Sequence, residues 1–423
     1  MTAGAGGRRT AGAGRTTGAG RTAGAGRTAG AGRTDRGDLE ALVAAREIVV
    51  CCGPGGVGKT STAAAIGTMA ALRHGGRVLV VTVDPARRLA TALGLSGIGN
   101  DATVVPPAAL AGTGLTFRGQ LEVAMLDTKQ SWDDLVRRHA PDRRSAEEIL
   151  ANPLYENVAG RFVQSHDYIA AERLYELHLQ GDYDLIVVDT PPSRNAIDFL
   201  EAPRRMAEFF SSRLLRWLVA PYRVRLVNLA SRPFTQVADR ILGSAFLADV
   251  TEFFLAFQGM YDGFVERAAA VQALLADPRT TFVTVSTLEP AARREAEVLM
   301  SELIARGLPL GALVLNKVLP GYLLDPAPAA TAERLRADAA GVAATLLAAG
   351  PEGLPPDADE RLVAGVLNEV AESYLGYRVV ARREAEQRAR LGALPSVVVS
   401  VPYLDQDVHD LASLVRLGEA LFT

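Results

Sequence analysis

Residues 47–61 read EIVVCCGPGGVGKTS. An apolar, β-branched run ends at Cys52, and Gly53 through Thr60 fit the phosphate-loop pattern GxxxxGK[ST]. Context gives the match its weight. The motif follows a strand predicted over 47–52 and opens a helix predicted over 59–74, the setting in which such a loop works. Its glycines let the backbone curl until successive N–H groups face a phosphate, and the helix N-terminus adds positive potential. Lys59 supplies a mobile point charge for the β and γ phosphates of ATP, and Thr60 offers its hydroxyl to Mg²⁺. Gly53, Gly55, Gly56, Val57, Gly58, Lys59, Thr60 and Ser61 are the candidate nucleotide contacts.

Outward from this loop the chain alternates strand and helix. Further strands are predicted over 77–83, 121–126, 184–188, 280–286, 311–315 and 396–401. Repeated βα units imply an α/β fold, a doubly wound, mostly parallel sheet of the P-loop NTPase kind with helices on both faces. Two acids end strands of this series. Asp84 closes VTVD; it either orients a water toward the γ-phosphate or caps the helix ahead of Pro85, and the two roles are compatible. Asp189 follows four apolar residues in DLIVVD, the Walker B arrangement, whose carboxylate holds Mg²⁺ directly or through water. Its bland alternative is a satisfied turn aspartate. No acceptor-binding lid of a P-loop kinase is recognisable.

Two helical regions are predicted inside this frame, over about 202–278 and 328–390. The first is rich in aromatics, among them Phe209, Phe210, Trp217, Phe253, Phe254 and Phe257. In the second, Leu362, Val366, Val370 and Tyr374 recur every four residues and make one apolar stripe. Core packing is the expected use of both, a partner groove the alternative. Residues 1–38 form a separate Gly/Ala/Arg/Thr-rich tail built on a TAGAGR repeat, with almost nothing to bury, and are expected to be disordered.

The 423 residues are 48% hydrophobic and 22% charged, enough for a large core. Residues 1–34 carry six arginines and no acid, so the remaining 39 basic residues face 48 acids, a balance of −9. That balance argues against nucleic acid as a partner. The two cysteines, Cys51 and Cys52, are adjacent in a strand and point to opposite faces, so they form neither a disulfide framework nor a CxxC site. A reduced, cytoplasmic setting fits, and no apolar stretch approaches the roughly 18 residues that span a bilayer.

These residues resemble the arsenite-pump (ArsA) and tail-anchored-protein targeting ATPase family, of the deviant Walker A class. The marks are GPGGVGKTS, TVDPARRLATALG, LDTKQSWDDLVRRHAP, YDLIVVDTPPSRNAIDFL, VLNKV and VPYLDQDVHDLASL. The wording is closest to actinobacterial anion-transporting ATPases. The resemblance implies ATP hydrolysis by a dimer whose closing and opening rearrange a partner. It makes Asp84 the water-positioning acid of a first switch, Asp189 the Walker B acid, and Asn316 the adenine-reading asparagine. Pro402 would close the other side of the adenine pocket.

Departures from the family are equally informative. Its deviant loop reads GKGGxGK, with a first lysine that reaches the partner's nucleotide; here that position is Pro54, without charge or N–H. A heterodimer with a lysine-bearing paralogue would complete this site, and a regulatory subunit that binds ATP with little turnover alone is the alternative. In the second switch Arg194 and Asn195 replace a glycine and a histidine. The three dispersed metalloid cysteines of the arsenite pumps and the zinc-binding CxxC of the targeting enzymes are missing. Of the methionine-rich client groove only Met206 and Met260 remain, so a helical or membrane-protein client, reached at the membrane periphery through a partner, has little support in the sequence.

Overall fold

The structure, a computed structural model, describes residues 38–83, 87–95, 97–111, 113–152, 155, 163–190, 193–211, 253, 260–350, 358–392 and 395–422. The N-terminal repeat and most of the first predicted helical region lie outside them.

Eight strands make one sheet: β1 (Ile48–Cys52), β2 (Arg77–Thr82), β3 (Thr103–Val104), β4 (Gln120–Met125), β5 (Leu185–Asp189), β6 (Thr280–Ser286), β7 (Leu310–Val318) and β8 (Val397–Pro402). Their order is β3-β4-β2-β5-β1-β6-β7-β8. All pairings are parallel except β3 with β4. The doubly wound reading holds, and β3 is the strand it did not contain.

The helices are α1 (Asp38–Ala44), α2 (Lys59–Arg73), α3 (Arg87–Ala92), α4 (Thr128–His139), α5 (Arg143–Ala151), α6 (Val163–Gln180), α7 (Ser193–Ser211), α8 (Tyr261–Ala276), α9 (Pro290–Ala305), α10 (Pro326–Ala337), α11 (Ala339–Ala349), α12 (Glu360–Ala389) and α13 (Leu411–Phe422). Alternation along each strand builds a core on either side of the sheet. Val49, Cys51, Val80, Val123, Val187 and Val285 face α2 and α13, whereas Val50, Cys52, Val81, Val188 and Phe282 face α6, α7, α8 and α9. Strands buried on both faces read as unbroken apolar runs, which is why they were legible.

Helix α2 is the deepest of these elements. Its middle is buried on every side, from Thr62 through Leu72. Alanine-rich sequence allows that close packing, and Gly67 permits closer still: a Cβ there would lie 2.3 Å from Cγ2 of Val80. Gly67→Leu is therefore expected to overpack the α2–β2 contact by about 1–3 kcal/mol. It should lower the urea midpoint with an unchanged slope; an unchanged midpoint would contradict this packing.

A third cluster joins Trp132, Tyr168 and Phe264, whose ring centroids are 5.9–6.1 Å apart. Met206 and Met260 are buried in it, so neither lines an open groove. The LDTKQSWDDL segment is a helix start: Asp127 accepts from the Gln130 N–H at 2.8 Å, and Trp132 anchors α4 in the cluster.

One expectation is overturned. Leu362, Val366 and Val370 are each more than half exposed, and Tyr374 is half-buried, so their four-residue recurrence marks a largely solvent-facing stripe and not core. The covered side of α12 carries Val363, Ala371 and Ala381, against α10 and α11. Periodicity shows that residues share a face; only the neighbouring helices decide which face is covered.

Candidate nucleotide site

The phosphate loop leaves β1 at the centre of the sheet, between β5 and β6. Gly53 passes so close to β6 that a Cβ would lie 2.0 Å from the Val285 carbonyl oxygen, so no other residue fits. Gly56 (φ 77°) and Gly58 (φ 94°) take the left-handed conformation that L side chains avoid. Gly55 and Gly56 are exposed at the loop's crest, open to a phosphate chain. Helix α2 begins at Lys59, and the Thr62 N–H donates to the Gly58 carbonyl at 2.9 Å.

Lys59 is buried and folds back over the loop, its Nζ donating to the Pro54 carbonyl at 2.8 Å. The bond spans the arc of the cradle and holds the ammonium at its mouth. Thr60 follows in the first turn, half-buried.

Asp189 ends β5 in register with Cys51 of β1 and Thr82 of β2. It is 1% exposed, and Oδ2 accepts from the Thr82 hydroxyl at 3.0 Å. Next to it, Thr190 donates through both its N–H (3.2 Å) and its hydroxyl (2.9 Å) to the Cys51 carbonyl. The strand end carrying the acid is thereby clamped to the strand that launches the loop. Sequence reading did not single out Thr82 or Thr190, although both lie inside the quoted segments TVDPARRLATALG and YDLIVVDTPPSRNAIDFL. The fit to a magnesium nucleotide rests on this set: a positive cradle of backbone amides, one ammonium, one hydroxyl and one buried carboxylate.

Asn316 sits near the end of β7, buried against the loop. Its Nδ2 donates to the Val57 carbonyl at 2.8 Å, and its Oδ1 accepts from the Lys317 N–H at 2.9 Å. Lys317 is left-handed (φ 59°), beside a register shift between β7 and β8. A Cβ on Gly58 would lie 2.4 Å from Asn316 Nδ2, so loop and amide interlock. The amide thus braces the phosphate loop. Asn316→Ala strands the Val57 carbonyl, and a cost of about 1–3 kcal/mol is expected in the urea unfolding free energy. Pro402 ends β8 opposite Val318, where the Tyr403 N–H donates to the Val318 carbonyl at 2.9 Å. Asn316 and Pro402 are therefore brought to one rim. Asp84 lies outside the described residues, as do Pro191 and Pro192; Arg194 and Asn195 fall in the first turn of α7.

Both cysteines are buried free thiols under the loop. Burial first, then the negative charge of Asp189, pushes the Cys51 thiol up; burial pushes Cys52 up to about 12. Both stay protonated while an unfolded chain loses these protons near pH 9. The stability they contribute is thus present below pH 9 and lost as pH rises toward 12. Iodoacetamide at pH 8 should label neither until urea unfolds the chain; rapid native labelling would contradict their burial.

Among the described residues no group of three or more metal-binding His, Cys, Asp or Glu side chains occurs, and no helix is long and apolar enough to cross a membrane. The sequence profile of the anion-transporting ATPases matches residues 46–336. A Streptomyces coelicolor relative, the uncharacterized protein SCO2128, is 32% identical over 271 residues, 63% of this chain and 61% of its own. An Aquifex aeolicus relative named for an arsenical pump-driving ATPase is 25% identical over 286 residues, 66% of this chain and 65% of its own. The ATPase GET3 of Malassezia globosa is 25% identical over 289 residues, 68% and 76% of the two chains. The aligned region thus spans less than two thirds of the length of the first two relatives. With a phosphate loop, a buried strand-end acid and a profile match over most of its length, the chain belongs to the anion-transporting ATPase family.

Proposed function

We propose that this chain binds MgATP at the loop of residues 53–61 and hydrolyses it to ADP and phosphate, in the cytoplasm, as the nucleotide-switched half of a dimer. The observation that carries the reading is the convergence at one sheet edge of the Gly53–Gly58 cradle, the Lys59 ammonium and the Asp189 carboxylate. Phosphoryl transfer asks mainly for positioning and charge neutralisation, which this set supplies. Lys59 releases Pro54 and meets the β and γ phosphates. Thr60 and Asp189 would hold Mg²⁺, which would neutralise charge developing between the phosphates. Asp84, the acid that closes VTVD in the sequence, orients the attacking water. Asn316 holds the loop closed beneath the nucleoside, with the adenine lying between Asn316 and Pro402. Phosphate release by the purified chain with Mg²⁺ and ATP tests this reading; tight ATP binding without turnover under all conditions would contradict hydrolysis.

A second reading, a nucleotide-binding regulatory subunit completed by a lysine-bearing paralogue, is favoured by Pro54. The loop position from which relatives reach across a dimer carries no cation here, and its carbonyl is occupied by Lys59. Pro54→Lys separates the two. If the missing lysine limits turnover, the variant alone should gain at least about tenfold; if the site is self-sufficient, it should gain nothing. The work that turnover drives is delivered to a partner, as the name of the Aquifex aeolicus relative says of an arsenical pump.

A further inference from the structure

The rim that gathers Asn316 and Pro402 is gripped from behind by the last turns of α12. Among residues 381–389 only Ala381, Glu384, Gln387 and Arg388 are buried or half-buried, and their spacing puts them on one face of the helix. Each polar member of that face holds a different element. Glu384 accepts the Leu319 N–H at 2.9 Å, where the chain leaves β7. Arg388, one turn on, donates to the Ser400 hydroxyl of β8 at 2.9 Å. Gln387 accepts from the Arg293 guanidinium of α9 at 2.9 Å. Just past the helix, Leu391 packs against the same small core as Val318 and Val398. One helix end thus ties together two strand ends, three residues beyond Asn316 on β7 and two before Pro402 on β8.

Strand pairing does not fix this rim. The β7–β8 register is regular from Ala312 to Leu315 and shifts before Val318, so Asn316 and Lys317 fall in the irregular stretch. Such a break aims side chains out of the sheet and removes the ladder bonds that would set their spacing. Spacing matters for what Asn316 can read. Its amide already donates once to the Val57 carbonyl and accepts once from the Lys317 N–H, which leaves one hydrogen and one lone pair. A donor beside an acceptor matches the N7 and N6 edge of adenine, whereas guanine presents two acceptors, N7 and O6, on that edge. The match holds only at hydrogen-bond distance, with the base kept in place from the Pro402 side.

We propose that Glu384 and Arg388 are positioning residues for base recognition: they fix the ends of β7 and β8 relative to each other, and so set the gap between Asn316 and Pro402 that prefers adenine to guanine. The proposal rests on the reading that the adenine lies in that gap. Both residues act through the strand ends they bind, in the way a supporting shell holds a binding group in its working geometry.

Calorimetric titration of the full chain with MgADP and with MgGDP tests this. Wild type is expected to bind ADP at least about tenfold more tightly than GDP. Glu384→Ala releases the Leu319 N–H, and Arg388→Ala releases the Ser400 hydroxyl. Each should weaken ADP at least about fivefold and leave GDP within about twofold, so selectivity falls. Ser400→Ala removes the β8 bond from the strand side and should reproduce Arg388→Ala. Glu384→Gln, whose amide oxygen still accepts from Leu319, should stay within about twofold of wild type for both nucleotides. General damage to the fold would weaken ADP and GDP alike, and that result would overturn the proposal. Alanine variants with wild-type selectivity, or Glu384→Gln as defective as Glu384→Ala, would overturn it too. A wild type that binds both nucleotides equally would overturn it while leaving the phosphate loop as the nucleotide site. Binding of neither nucleotide would remove that site and this inference together.

Discussion

Lys59→Ala should reduce steady-state phosphate release from MgATP by at least about a hundredfold, while the protein remains folded. The ammonium is the one side-chain cation that the loop places at its mouth, held there through the Pro54 carbonyl. Removing a preorganised charge from the place where negative charge develops typically costs about 2.7–4 kcal/mol, roughly a hundredfold to a thousandfold in rate. Folding should survive because the alanine-rich body of α2 stays packed between the sheet and α13. Parallel measurements of turnover and thermal unfolding check both halves. Turnover within about threefold of wild type would remove Lys59 from the chemistry.

Asp189→Asn should be comparably severe, with a different signature. The amide keeps an oxygen to accept from the Thr82 hydroxyl at the same place, so the strand end is preserved and little stability is lost. What disappears is the negative charge at a position that is 1% exposed, where charge acts through a low dielectric. A site that depends on this carboxylate to retain Mg²⁺ should then need at least about tenfold more Mg²⁺ for half-maximal turnover, with a maximal rate down about a hundredfold. A magnesium titration of wild type and variant reads both numbers. An unchanged Mg²⁺ requirement would make Asp189 a structural turn residue held by Thr82.

How much of this was legible in the sequence follows from where each determinant resides. The strand predicted over 280–286 matches β6 residue for residue, because an apolar run between turn signals needs no tertiary information to be seen. The two-residue β3 has no periodicity to detect and exists through its pairing with β4. The phosphate loop is a local motif, so its glycines and Lys59 could be read directly. The partners that position the site are not local: Thr82 and Asp189 are 107 residues apart, and Asn316 and Val57 are 259 apart. The family resemblance of VLNKV marked Asn316, and the fold shows its amide bound to the loop carbonyl. For α12 the recurrence at 362, 366 and 370 was correctly seen as one face. Its exposure depends on α10 and α11 lying on the other side, which no pattern within α12 encodes.

Phosphate release by the purified full chain with Mg²⁺ and ATP, beside Lys59→Ala under the same conditions, tests the central claim most directly. A nucleotide site built on the loop of residues 53–61 predicts wild-type turnover that falls at least about a hundredfold in the variant. Equal rates in both proteins would contradict it and would place any hydrolysis outside this loop.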